Sequence, residues 1–134
     1  MRVPVLAAVC VSLLSSASGQ RLGQKVTTAS GNTVAVYSIA YPNPASPVSA
    51  DVEVCAGEKG AFAFPSYFQV HFADGGALGP YGSRKQPTFE RTHLDPKQCV
   101  RGWLDYAVTT TQKPVSLHYH EMGADQKPID WPVK

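Results

Sequence analysis

From Val26 onward, apolar and polar side chains alternate in short runs with a period of two. That period belongs to strands with one buried face, and it excludes the 3.6-residue stripe of an amphipathic helix. Val34, Val36 and Ser38 alternate with Ala35, Tyr37 and Ile39, and Ala50, Val52 and Val54 alternate with Asp51, Glu53 and Cys55. Phe68, Val70 and Phe72 oppose Tyr67, Gln69 and His71 in the same way. Leu104, Tyr106 and Val108 oppose Trp103, Asp105 and Ala107, and Val115, Leu117 and Tyr119 oppose Ser116, His118 and His120. A last short apolar piece, Ile129 to Val133, carries Trp131. About seven strands and no helix predict an all-β domain, a two-sheet antiparallel β-sandwich.

The breaks between these runs are chemically marked. Eleven Gly and eleven Pro are scattered without a period, as punctuation between strands. Tyr41-Pro42-Asn43-Pro44-Ala45-Ser46-Pro47 lacks three backbone donors and reads as a stiff connection. Residues 77–96, with Pro80, Gly82, Pro87 and Pro96, form the longest irregular stretch, of the kind that often carries function or mobility. At 134 residues, 43% hydrophobic and 16% charged, the chain has material for one core and is not of disordered composition.

The first twenty residues stand apart. Arg2 is a minimal positive start, Val3 to Leu14 are an apolar stretch, and Ser15-Ser16-Ala17-Ser18-Gly19 supply small residues for cleavage. This is the layout of a secretory signal peptide, too short for a stable span, which needs roughly 20 apolar residues. Cleavage after Ala17 or after Gly19 fits equally, so residues 1–19 are expected to be a leader and residues 20–134 a single secreted domain. Cys10, inside the apolar stretch, leaves with the leader. Two cysteines of the three remain, Cys55 and Cys99, and an even number in an oxidising compartment points to a disulfide. Both lie on the polar phase of their strands, which predicts a bridge at the margin of the sheets rather than in the core.

Within this frame a resemblance stands out. Asp51-Val52-Glu53-Val54-Cys55 precedes an aromatic strand ending in Asp74-Gly75. Then come Leu94-Asp95-Pro96-Lys97-Gln98-Cys99-Val100-Arg101-Gly102-Trp103-Leu104-Asp105-Tyr106-Ala107-Val108 and a closing Pro-x-x-Leu-x-Tyr strand. The chain resembles the secreted, immunoglobulin-like β-sandwich proteins of actinobacteria, many known only as domains of unknown function. It is similar in layout to the mycobacterial immunoprotective extracellular protein family. The Cys-Val-Arg-Gly segment entering a strand is the most telling part. The resemblance implies an immunoglobulin-like sandwich and an extracellular location, and carries over no catalytic residues.

His118-Tyr119-His120-Glu121-Met122 is the sharpest local signal for chemistry. Alternate strand residues share a face, so His118, His120 and Met122 could converge on one ion, and two imidazoles with a thioether suit copper. The segment resembles part of the His-x-Met ending of periplasmic copper chaperones, which need further upstream ligands. Only Met1 and Met122 are present. On the competing reading, Val115, Leu117 and Tyr119 face the core and the histidines simply face solvent. His71 and His93 are the remaining histidines, and nothing in the sequence brings them near.

Other chemistry finds little footing. No Gly-x-Ser-x-Gly elbow is present. The ten carboxylates are scattered, and solvated sheet surface accounts for Asp51, Glu53 and Asp105. Gly75-Gly76 is a turn without a phosphate-binding helix. A net charge of +2 without a basic run is too small to imply a nucleic-acid partner, and none is expected. Tyr41, Tyr67, Tyr81 and Phe89 are either a binding patch or aromatics packed under loops. The function expected is that of a secreted, monomeric, non-enzymatic interaction or structural module without a cofactor, its partner a protein, an envelope polymer or a small ligand. Metal binding through His118 and His120 is the alternative, and an uncharacterised enzyme the third.

Overall fold

A computed structural model describes residues 19–44, 46–123 and 127–134. The leader expected over residues 1–19, with Cys10, lies outside the described residues except for Gly19. The alternating runs form strands, as their period predicts. One sheet holds β1 (Val26–Thr27), β2 (Thr33–Ala40), β3 (Val48–Cys55) and β8 (Cys99–Tyr106), in the order β1-β2-β3-β8. The second holds β5 (Phe68–Phe72), β6 (Ala77–Leu78), β9 (Pro114–Tyr119) and β10 (Ile129–Pro132), in the order β10-β9-β5-β6. A ribbon of β4 (Ala61–Ala63) and β7 (Thr92–Leu94) stands beside them, and all these named strand pairs are antiparallel. There are more strands than the expected seven or so because β1, β4, β6 and β7 span two or three residues each, too few to display a period.

The inward phases meet in one core. Val34, Val36, Val48, Ala50, Val52, Val54, Leu104 and Tyr106 of the first sheet face Phe68, Val70, Phe72, Leu117, Tyr119 and Trp131 of the second. The Tyr106 hydroxyl crosses between the sheets to donate to the Phe68 carbonyl at 3.0 Å. Two bulges reset the alternation. Between Val36 and Ser38 the register of β2 against β3 shifts, so Tyr37 is the extra residue, Ser38 leaves the face of Val34, and Ile39 packs against the core. In β9, Val115 is the extra residue: His71 pairs with Ser116 and Phe72 with Pro114. Val115, expected inside with Leu117 and Tyr119, is therefore 42% exposed, and Pro114 is buried in its stead.

Residues 77–96 are not a free loop. After the cis Gln86–Pro87 bond, the chain runs along the open edge of β8: Trp103 N–H donates to the Pro87 carbonyl at 2.9 Å and Phe89 N–H to the Trp103 carbonyl at 3.0 Å. Farther up the same edge, Tyr81 N–H donates to the Asp105 carbonyl and Asp105 N–H to Gly82. The segment thus covers an edge that would otherwise offer unpaired donors and acceptors. Asp105 anchors it. Expected on solvated surface, the residue is only 2% exposed, and its carboxylate accepts from Ser49 Oγ at 2.7 Å, Ser83 Oγ at 3.0 Å and the Arg84 N–H at 3.2 Å.

Cys55 and Cys99 sit directly opposite each other where β3 ends and β8 begins, bonded with their Cα atoms 4.0 Å apart. The bridge lies on the outward phase at the sheet margin, where the strand phases placed it. The core indole is Trp131 from β10, fully buried, rather than a tryptophan packed on the disulfide.

Candidate histidine-lined site

Outward residues of β5 and β9, with Ser66 and Tyr67 ahead of β5 and Pro128 ahead of β10, build a shallow concavity of about 470 Å³ on the solvent side of the second sheet. Pairing puts Gln69 of β5 and Asp130 of β10 on either side of His118 in β9. His71 lies one step diagonally along β5, opposite Ser116. His120 continues β9 beyond its last paired residue, its N–H donating to the Tyr67 carbonyl at 3.0 Å. Tyr67, Gln69, His71, His118, His120 and Met122 all line the concavity. The structure therefore adds His71 to the pair foreseen from the sequence, and places Met122 at the rim, 84% exposed.

The imidazoles of His71 and His118 stack with centroids 3.6 Å apart and planes within 7°. His118 Nε2 lies 2.7 Å from Asp130 Oδ1. The approach falls off the N–H axis, since that oxygen has no aligned hydrogen-bond partner among the described residues, so the contact is a close approach and not a formed hydrogen bond. Partial burial lowers the His118 pKa below the ordinary imidazole value, the His71 and His120 rings push it the same way, and Asp130 opposes them. His118 is consequently neutral at neutral pH, with lone-pair character on one ring nitrogen. Among the described residues no serine hydroxyl is bonded to His118, so the His118–Asp130 pair is not completed as a nucleophile-activating triad.

Just beyond, Glu121 closes the end of the sandwich. Its carboxylate accepts from Ser30 Oγ at 2.7 Å, Asn32 Nδ2 at 3.0 Å and the Tyr119 hydroxyl at 2.9 Å. Burial raises its pKa, but these bonds to the ionised form outweigh burial and hold it below the usual carboxylate range. Glu121 thereby ties the turn between β1 and β2 to the end of β9.

Candidates elsewhere separate from this face. His93 packs on Phe62 at 4.8 Å, on the β4–β7 ribbon, so of the two remaining histidines only His71 joins the cluster. Glu53, Cys55 and Cys99 offer ligand atoms within 4.8 Å of one another, but the sulfurs are bonded to each other and are not thiolates. Phe89 is buried against Phe68, ring centroids 5.6 Å apart, while Tyr41 and Tyr67 pack partly buried against the core. Tyr81 alone of those four is exposed, at 55%. The sequence did not flag Phe62, exposed at 57%, because a three-residue strand shows no phase.

With this geometry in place, the fold can be compared with known proteins. A secreted protein from Mycobacterium tuberculosis, MPT63, superimposes with a TM-score of 0.64 over 88% of this chain and 100% of that one, at 17% sequence identity. The likeness is one of fold. It matches the all-β sandwich expected from the alternation, and the resemblance in layout to the mycobacterial family holds at that level. No family model matches the chain, and no curated protein matches it in sequence. Among the described residues no helix is long and apolar enough to cross a membrane.

Proposed function

We propose that the chain is a secreted, non-enzymatic β-sandwich module that binds its ligand on the outer face of β10, β9 and β5. The observation that carries this reading is the contrast between the two outer faces. On the first sheet the outward side chains are engaged with one another: the Tyr37 hydroxyl donates to Glu53 at 2.6 Å, Arg101 grips Asp51 through two nitrogens at 2.9 and 3.1 Å, and Arg101 and Lys85 lie over Tyr37 and Trp103. On the second sheet the outward side chains, the stacked His71 and His118 among them, line a concavity that mixes aromatic, amide and imidazole groups, the composition of a small binding site.

A binding role is favoured over catalysis by what the buried carboxylates do. Asp105 and Glu121 spend their oxygens on loop and turn donors. Neither lines the concavity. An extracellular location is supported by the leader-like first residues, the disulfide and the secreted fold neighbour.

The test is capture of envelope and extracellular components on immobilised protein. Gln69→Arg, which places a bulky cation in the concavity, is expected to abolish specific retention. Arg101→Ala, on the opposite sheet, is expected to leave it unchanged. Equal retention by both variants would overturn the assignment of the binding face.

A further inference from the structure

We propose that His71, His118 and His120 form a site for one divalent late-transition-metal ion, Cu²⁺ foremost, with Asp130 orienting His118 from behind. The inference rests on reading the outer face of the second sheet as the binding face, and names what that face takes. Sheet pairing, not sequence proximity, carries it. His118 and His120 are two residues apart along β9 and its extension, and His71 arrives from β5 to lie in ring contact with His118. Three imidazoles from two adjacent strands are the donor set that copper, nickel and zinc prefer, and copper binds most tightly in the order of divalent affinities.

Asp130 is the second observation. A histidine that ligates a metal commonly offers its other ring nitrogen to a carboxylate, which fixes tautomer and ring orientation. His118 Nε2 lies 2.7 Å from Asp130 Oδ1, so a small turn of the ring brings its N–H into line with that carboxylate and leaves Nδ1 as the ring's donor atom.

Coordination replaces the ring stack. A nitrogen lone pair lies in the plane of its ring, so the parallel His71 and His118 rings do not aim at one point. The donor nitrogens of the three histidines are not gathered within 4.8 Å of one another, so the rings must turn about χ1 and χ2 to converge, rotations open to side chains on the solvent face of a sheet. Metal binding is therefore expected to break the 3.6 Å stack.

The experiment uses the untagged protein titrated with Cu²⁺ and followed by calorimetry and electron paramagnetic resonance. The expected result is one equivalent bound, with nitrogen hyperfine structure from at least two imidazoles. His71→Ala and His118→Ala each lower affinity at least about 10-fold, and Asp130→Asn lowers it roughly 10- to 100-fold. His93→Ala, on the ribbon, changes nothing. A parallel Zn²⁺ titration of the unmutated protein reads the ring ¹⁵N shifts of all four histidines, so the test stands even if a variant fails to fold. Movement of His71, His118 and His120 with His93 still supports the site. Absence of stoichiometric binding, binding indifferent to His71 and His118, or shifts at His93 instead would each overturn it. If metal binding fails while Gln69→Arg still abolishes capture, the binding face stands without the metal. If metal binds and capture is indifferent to Gln69→Arg, the reverse holds.

Discussion

Gly102 is the residue on which the closeness of this sandwich is most directly tested. It lies on the inward phase of β8, and residues 87–89 press over it from the strand edge. A Cβ there would stand 2.7 Å from Phe89 Cα and 2.7 Å from the Thr88 carbonyl carbon, and closer still to the Phe89 nitrogen. All three are backbone atoms, held by the two hydrogen bonds to Trp103, so no side chain can swing away to make room. Restoring ordinary contact means moving the segment by about 1 Å. Overpacking of that kind costs about 1–3 kcal/mol, and weakening the two main-chain bonds adds about 1 kcal/mol each. Alanine recovers about 0.5–1 kcal/mol through the unfolded chain. The balance for Gly102→Ala is a loss of about 3 kcal/mol, which for a domain of this size lowers Tm by about 10–15 °C. Gly79→Ala is the control, because nothing lies within 4 Å of its Cβ position and its change should stay within about 0.5 kcal/mol. Calorimetric scans of both variants, with amide exchange at Phe89 and Trp103, make the measurement. A Gly102→Ala protein melting within about 3 °C of the unmutated one, with those amides still protected, would refute the close approach.

Two further outcomes follow from the same contacts. The Cys55–Cys99 bridge closes a separation of 44 residues, so Cys55→Ser/Cys99→Ser should lose about 4 kcal/mol in guanidinium unfolding; a loss below about 1 kcal/mol would show that the bridge constrains little. Glu121 has a folded pKa below its unfolded value, so the stability it contributes is present above the ordinary glutamate range and is lost as pH falls through the folded value. Between about pH 7 and pH 3 the unmutated protein should lose more stability than Glu121→Gln, and parallel pH slopes would count against the network.

Strand identity and face were legible in the sequence wherever the period ran unbroken for five residues or more. Val52 and Val54 in β3 and Leu104 and Tyr106 in β8 point inward as the alternation requires, and the outward phase of Cys55 and Cys99 correctly put the bridge at the margin. The phase failed at the bulges. A single unpaired residue moves the side chains on one side of it to the other face, Ser38 and Ile39 after Tyr37 and Pro114 before Val115, and nothing in a local pattern marks where it will occur. Asp105 escapes the pattern for a related reason. Its outward phase is genuine, but Ser83 and Arg84 cover it from outside, and cover supplied by an irregular segment leaves no periodic trace.

The candidate site divides along the same line between local and non-local information. His118 and His120 sharing a face is a property of one strand, and two residues of spacing suffice to see it. His71 joining them depends on β5 pairing with β9 in the register that sets His71 opposite Ser116. Asp130 joining from the other side depends on β10 pairing with β9. Both pairings are fixed by the core rather than by the histidines: Phe68, Val70, Leu117, Tyr119 and Trp131 must all point inward at once, and a slip of one residue would turn that set to solvent. The hydrophobic registry that folds the second sheet is therefore the same constraint that assembles three imidazoles and a carboxylate on its outer face. Substitutions that shift the β5–β9 register should disperse the cluster, even where they touch none of its members.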